Sequence, residues 1–395
     1  MNIEELHKLY SQHFLVDTDT RKIRKNTLFF ALKGDNFNGN KFAQDALEKG
    51  ALYSIVDEKE YQTASNIILV DNVLNTLQKL ANYHRKQLNI PIIALTGSNG
   101  KTTTKELINT VLGEQFKTVA TLGNLNNHIG VPLTLLSMNN YTEIGIVEMG
   151  ANHLKEIAFL SEIAEPDFGY ITNFGKAHLE GFGSVEGVVK AKSELYSFLN
   201  ENNKTVFVNP NDPIQLKKTE EMIRILFDES IEFIDVNPFV KLSFQNKTVQ
   251  SNLIGKYNFN NIAAAITIGE YFNISKEKIK NAIENYFPTN NRSQVVDKSS
   301  NKIIMDAYNA NPTSMKAALE NFRLLSAKNK TVILGDMFEL GDFSLVEHQV
   351  ITDLVASFNF KNVFLVGENF YQTESKSQKF KTFEDLKAYF LNERI

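Results

Sequence analysis

Between residues 91 and 288 one unit recurs: a short apolar run that stops at a glycine or a polar residue, then a helical stretch. The runs are "PIIALTG", "EIGIVEMG", "DFGYITNFG" and "KTVFVNPND". They are continuous rather than alternating, so both faces of each strand are covered, as in a mainly parallel sheet flanked by helices. That pattern also says where to look for chemistry, because ligands of such sheets gather beyond the carboxyl ends of the strands.

Similar patterns flank this core. The first 88 residues alternate β-rich runs ("TLFFALKG", "NIILV") with helical stretches and close on "DNVLNTLQKLANYHRKQL". There Leu74, Leu77, Ala81, His84 and Leu88 recur at helical spacing, with Asp71 as the expected cap. Pro91 then restarts the chain as a strand. Residues 221–254 alternate like antiparallel edge strands, and "GKYNFNNIAAAITIGEYF" returns to helix. After "NYFPTNNRSQ", three runs ("KIIMDAYN", "KTVILGD", "NVFLVG") separated by two helical stretches predict a further small open sheet. With 395 residues the chain is too long for one core. We expect three α/β domains, at 1–88, 89–288 and 289–395.

A formal charge of −4 without any lysine-arginine block argues against nucleic acid as a partner. The chain has no cysteine, which removes disulfides, thiol nucleophiles and thiolate metal sites. The start, "MNIEELHKLYSQHF", carries acids and lacks a signal peptide's apolar core, and no apolar run approaches the length of a membrane span, so a cytoplasmic protein is expected.

The stretch "PIIALTGSNGKTTTKEL" has what a phosphate-binding loop needs. A strand leads into the loop, and Gly97 and Gly100 let backbone N–H groups close on oxygen. Lys101 supplies charge, Thr102 a hydroxyl for Mg²⁺, and a helix begins at once. Leu95 stands where the usual expression has its first glycine. Glu148, ending "IGIVE", is a carboxylate at a buried strand terminus, where a bound Mg²⁺ would offset the burial. His178 lies beyond the next strand end in a glycine-bounded loop and is able to act as a ligand or to hold one. Lys190 and Lys192 follow on a helix, where lysines ordinarily form a solvated face.

The variant loop T-G-x-N-G-K-T-T resembles that of the Mur ligase family and its relatives the folylpolyglutamate synthases, which are ATP-dependent amide-forming enzymes. The segments "NLNNHIGVPLTLL", "EMGANHLKEIAFL", "NFGKAHLEGFGSVEGVVKAKSELY" and "DAYNANPTSM" are similar to the branch that joins D-alanyl-D-alanine to UDP-N-acetylmuramoyl-tripeptide. The similarity extends from "DTRKIRKNTLFFALKGDNFNG" to "ILGDMFELGD". The resemblance implies a central P-loop-type domain, a small N-terminal α/β domain and a C-terminal Rossmann-like domain. It assigns Thr96, Gly97, Ser98, Asn99, Gly100, Lys101 and Thr102 to the phosphates of ATP. Thr102, Glu148 and His178 go to Mg²⁺, and a carbamylated lysine at Lys192, with Lys190 as the alternative, goes to a second Mg²⁺. Lys101, Glu148, His178 and Lys192 form the implied catalytic set.

The resemblance further implies that Asn258 and Asn261 meet the adenine, on a helix start where Tyr257 replaces the family's usual histidine. Arg292 and Asp306 match nucleotide-contacting positions of the third domain. Asp19, Thr20 and Arg21, with Asn36 and Asn38 in the loop Gly34–Gly39, match the uridine diphosphate side, and Asn40 stands where histidine is commoner. Asn126 and Asn127 complete the implied substrate set. Implied with these are a monomer and a role in peptidoglycan synthesis, cell shape and cell division. Family members usually continue beyond "FLNERI" into another strand.

Three other readings compete with this one. The sibling ligase that adds the third amino acid carries D-N-P-R, which is not found here. A folylpolyglutamate synthase would leave the first-domain similarity without a counterpart. A nucleotide-binding module without ligase activity would not need Glu148, His178 and the lysine pair together.

Overall fold

The computed structural model describes residues 1–289 and 291–392. Its centre is a six-stranded, wholly parallel sheet. In spatial order the strands are Ile223–Leu226, Thr205–Val208, Phe168–Ile171, Ile92–Thr96, Ile144–Glu148 and Thr118–Ala120. The four expected runs are the four inner strands, and two further strands form the edges. The strand Ile92–Thr96 is buried throughout and runs beside Ile144–Glu148 with Leu95 opposite Glu148. That register sets Glu148 next to the mouth of the glycine loop. One apolar cluster fills the face under the helices Lys101–Gly113 and Asn258–Tyr271.

The stretch 221–254 divides. Ile223–Leu226 joins the parallel sheet, and only Glu232–Val236, Phe239–Phe244 and Lys247–Ile254 form the antiparallel meander. "KIIMDAYN" is also reassigned: Asn301–Met305 pairs antiparallel with Gln294–Lys298 in a hairpin. The remaining C-terminal strands, Thr331–Gly335, Asn362–Val366 and Gln378–Phe380, make a three-stranded parallel sheet. "QVVDK" escaped notice because its ends are polar, and the turn is closed by Ser299 in the left-handed region. Residues 290 and 393–395, which fall within the expected third domain, lie outside the described residues.

The N-terminal region carries a four-stranded parallel sheet in the order Val16–Asp17, Leu28–Phe30, Tyr53–Val56, Ile67–Leu69. Its closing helix, Val73–Leu88, is capped by Asn72 and not by Asp71: the Asn72 side chain accepts from the Asn75 N–H at 2.8 Å. The buried face is formed by Val73, Leu77, Leu80, Ala81 and His84, while Leu74 and Leu88 are only partly buried.

That helix bolts the N-terminal region to the central sheet. Arg85 donates to the carbonyls of Ala164 and Glu165 and, at 2.6 Å, to Asp167. Tyr10 donates to the Leu136 carbonyl at 2.7 Å. His84 is buried, with Nε2 3.0 Å from the Met138 carbonyl and Nδ1 3.1 Å from His7 Nε2. A carbonyl only accepts, so His84 is protonated at Nε2 and accepts at Nδ1 from His7.

Burial depresses the His84 pKa from 6.5 to about 4. The unfolded chain therefore binds more protons between these values, and the stability this residue contributes is present above 6.5 and lost as the pH falls toward 4. By pH 5 the loss should be about 2 kcal/mol. Urea unfolding at pH 7.5 and pH 5 should show a smaller pH penalty in His84→Gln than in the wild type. Equal penalties would mean that the joint does not titrate.

Candidate active site

The glycine loop is fixed by the neighbouring strand end. The Ser98 N–H donates to the Asn173 carbonyl, Asn99 N–H to Asn173 Oδ1, and Thr172 Oγ to the Asn99 carbonyl at 2.6 Å. Gly97 has φ +145° and Gly100 φ +80°, conformations that L side chains rarely adopt. A Cβ on Gly97 would meet Thr172 Oγ1 at 2.0 Å. Gly97→Ala should therefore cost about 2–4 kcal/mol in urea unfolding and weaken nucleotide binding with it. A loss under about 1 kcal/mol would show that the loop relaxes around the methyl group.

Helix Lys101–Gly113 opens directly from the loop. Lys101 Nζ donates to the Gly97 carbonyl at 2.7 Å, and burial lowers its pKa while Glu148 opposes that shift. Thr102 is buried at the first turn, and Thr96 Oγ1 is buried without a partner. Glu148 is 1 % exposed. Its N–H donates to Thr121 Oγ1, and its Oε1 accepts from Asn126 Nδ2 at 2.8 Å, but its Oε2 is buried with no hydrogen bond at all. A buried carboxylate oxygen left bare calls for a cation.

A cavity of about 620 Å³ opens over these strand ends. Its walls include Ser98, Asn99, Gly100 and Lys101 from the loop, Glu148, and Asn126 and Asn127. His178, Asn258, Asn261, Arg292 and Asp306 also line it. Thr96, Gly97 and Thr102 sit behind that surface. Lys192 is also behind it, completely buried, with Nζ 3.2 Å from the carbonyl of Ala151, which does line the cavity. The Lys192 ammonium position is 5.1 Å above the Phe182 ring. Burial, reinforced by Lys101, holds the Lys192 pKa well below the ordinary lysine value, whereas Lys190 is exposed.

Asn258 and Asn261 are partly committed to each other. Asn261 donates to Asn258 Oδ1, accepts from Thr104 Oγ1 and lies against Gly100, so the helix Asn258–Tyr271 is locked to the loop helix. Each amide keeps one donor and one acceptor valence for a ligand. The Arg292 guanidinium lies 3.9 Å from the Tyr308 ring centroid, and Tyr257 OH meets Ser293 at 2.6 Å.

The C-terminal region closes the cavity through contacts that no local motif announces. Asn311, the cap of helix Pro312–Leu324, donates to Asn99 Oδ1 at 2.6 Å. Lys176 pairs with Glu347 at 2.6 Å. His178 Nδ1 lies 2.5 Å from Glu339 Oε2, and Glu180 N–H donates to the Glu339 carbonyl. Both His178 and Glu339 have positive φ, 53° and 61°, a conformation uncommon for non-glycine residues and held only where the surroundings demand it. Burial lowers the His178 pKa despite Glu339. The segments "DAYNANPTSM" and "ILGDMFELGD" contain Asn311 and Glu339, but pairing across the chain is not written in either.

Asp19, Thr20, Arg21, Asn36 and Asn38 do not line this cavity. Arg21 chelates Asp19 with bonds of 2.7–3.1 Å, and its hydrogen bonds hold the Asp19 carboxyl down at about 2. Asn36 is exposed in the turn between two short strands, while Asn38 accepts from Asn40, whose buried amide is held by Asp57.

Comparison with known proteins decides the family. The chain is 36% identical over 364 residues to the UDP-N-acetylmuramoyl-tripeptide–D-alanyl-D-alanine ligase of Bacillus subtilis (strain 168), covering 89% of this chain and 80% of that one. The chain belongs to the Mur ligase family. Three Mur ligase family descriptions match successive segments: "Mur ligase family, catalytic domain" at 13–93, "Mur ligase middle domain" at 95–269 and "Mur ligase, glutamate ligase domain" at 291–393. The Escherichia coli (strain K12) Mur ligase of the same name is 31% identical, over 94% of this chain and 85% of that one. Among solved Mur ligases, the MurF crystal structure from Acinetobacter baumannii superposes with a TM-score of 0.85 at 30% identity, covering 95% of this chain and 86% of that one. MurF from Thermotoga maritima, in complex with ADP, gives 0.82 at 26% identity, covering 96% and 91%.

Among the described residues no three His, Asp or Glu side chains converge to hold a metal, and no helix is long and apolar enough to cross a membrane. The donors present would suit a hard divalent cation such as Mg²⁺. The bare Glu148 Oε2 with the Thr102 hydroxyl supplies few protein oxygens, which matches an ion that takes much of its shell from phosphate and water.

Proposed function

We propose that this chain is an ATP-dependent carboxylate–amine ligase that joins D-alanyl-D-alanine to UDP-N-acetylmuramoyl-tripeptide, building the peptidoglycan precursor. One observation carries the reading. The glycine loop, the bare oxygen of Glu148 and the cationic Arg292 of the C-terminal region meet around a single cavity. The names of the relatives identify the substrates.

In this reading the backbone from Thr96 to Thr102 and the Lys101 ammonium hold the ATP phosphates. Thr102, Glu148 and His178 hold Mg²⁺, and Lys192 holds a second. Bound there, Mg²⁺ neutralises charge between the γ-phosphate and the acceptor carboxylate. Asn258, Asn261 and Asp306 hold the nucleoside, and Arg292 bears on the phosphates. Asp19, Thr20, Arg21, Asn36 and Asn38 hold the uridine diphosphate end, and Asn126 and Asn127 the peptide end. A carboxylate oxygen of the tripeptide attacks the γ-phosphorus and ADP leaves. The amine then attacks the acyl carbon, gives up its proton, and phosphate departs from a tetrahedral intermediate. Lys101 stabilises the charge that develops on the transferring group. The contacts through Asn311, Glu339 and Glu347 keep water out while this happens.

Lys192, not Lys190, is the lysine suited to carbamylation. Its amine is buried, which favours the neutral form, and a neutral amine is what adds to carbon dioxide, releasing a proton and leaving an anionic oxygen pair. We extend the proposal to domains at 1–88, 89–288 and 289–395, and to a cytoplasmic monomer serving cell shape and division. Phosphate release should require both UDP-N-acetylmuramoyl-tripeptide and D-alanyl-D-alanine. Release with the first substrate alone, or none with both, would overturn the reading.

A further inference from the structure

Four residues after Lys101, on the same helix, lies a lysine that the reaction does not use. Lys105 is 1 % exposed. A methionine or leucine would fill that space without the cost of desolvating an ammonium. Its Nζ donates to the Thr121 carbonyl at 2.5 Å and lies 2.8 Å from Glu106 Oε1.

Thr121 is the first residue after the edge strand Thr118–Ala120 and is itself buried. Its N–H continues the ladder to Ile146, but the strand has ended before it can serve Glu148. The Thr121 hydroxyl takes over and accepts the Glu148 N–H at 2.9 Å. Five residues on, Asn126 returns to the same place. Its Nδ2 donates to Glu148 Oε1, and its carbonyl accepts the Gly150 N–H at 2.8 Å. A Cβ on Gly150 would sit 2.7 Å from Asn126 Oδ1, so the amide lies close over that backbone. The segment Thr121–Asn126 thus brackets Glu148 from backbone to carboxylate and determines which of its two oxygens is left bare. Lys105 pins the start of that bracket to the loop helix.

We propose that Lys105 is a positioning residue for Glu148, fixing the distance between the phosphate loop and the carboxylate through Thr121. The proposal rests on the reading that Glu148 holds the metal. Lys105→Met keeps the stem and volume and deletes the donor. Lys105→Gln retains a shorter donor.

In metal-free, ligand-free Lys105→Met, amide hydrogen exchange should accelerate at residues 121–126 and at Glu148 while the strand Ile92–Thr96 stays protected. Mn²⁺ affinity of the ADP complex, read by electron paramagnetic resonance, should fall about tenfold or more. ADP affinity in EDTA should stay within about twofold, and Lys105→Gln should fall between wild type and Lys105→Met. Unchanged Mn²⁺ affinity, or exchange that accelerates uniformly over the molecule, overturns the proposal. Should Lys105→Met fail to fold, Lys105→Gln and Thr121→Val carry the test, and either one leaving Mn²⁺ affinity unchanged overturns it. A failure of the underlying reading looks different: Glu148→Gln would then bind Mn²⁺ as the wild type does, whatever the Lys105 variants show.

Discussion

Glu148→Gln should lower ligase turnover by about a thousandfold, which corresponds to about 4 kcal/mol of lost transition-state stabilisation. The substitution preserves shape and leaves the Asn126 amide an oxygen to bond. It removes the charge of the one buried carboxylate oxygen that no group in the cavity satisfies. The same change should leave the metal-free protein as stable as the wild type or more so, because an incompletely paired buried anion is expensive. Activity and thermal stability would then move in opposite directions, which a merely structural glutamate does not produce. Turnover within tenfold of wild type, or a sharp drop in melting temperature, would refute the assignment.

The second large effect is expected at Lys192. Lys192→Met fills the same buried space without an amine to desolvate, so the fold should be retained. Turnover should fall by about a hundredfold or more if an anionic group on that nitrogen serves the metal. Wild-type activity should decline when carbon dioxide and bicarbonate are stripped from the buffer and return when they are restored. Activity of the variant should not respond. ¹³C-labelled bicarbonate should give a carbamate resonance in the wild type that Lys192→Met lacks, and its absence from wild type under saturating bicarbonate would remove Lys192 from the metal site. Burial gives this a pH direction. With its pKa held well below the lysine value by burial, Lys192 becomes able to take up carbon dioxide at a lower pH than an unperturbed lysine does.

What could be read directly from the chain was whatever local periodicity and strand ends encode. Four unbroken apolar runs gave the inner strands of the parallel sheet, and the residues just beyond them, from Ser98 to Lys101, Glu148 and His178, stand around one cavity because strand ends of such a sheet converge on one edge. Where polar residues interrupt the runs, the pattern misleads. Gln294–Lys298 shows no such run, so the pattern puts its partner Asn301–Met305 in the wrong sheet, and the cap expected at Asp71 falls one residue later, at Asn72, a residue type that caps as well. Contacts between distant segments were illegible in principle. Asn99 and Asn311 are 212 positions apart, and nothing in either neighbourhood specifies the other. The same holds for Glu339 beside His178, and for Lys105, whose helix position reads as one more polar residue until the Thr121 carbonyl is found above it.

The bolt between the closing helix of the N-terminal region and the central sheet has a consequence for substrate choice. Arg85, Tyr10 and His84 fasten those two bodies by bonds to carbonyls and a carboxylate, across a continuous apolar seam. The nucleotide-sugar end and the reacting acid of the proposed donor would therefore be gripped at two stations whose separation does not vary. Such a fixed span would work as a gauge: a stem one residue too short would leave its acid short of the phosphate, and one too long would overshoot, so chain length would be sorted without each residue along it being recognised.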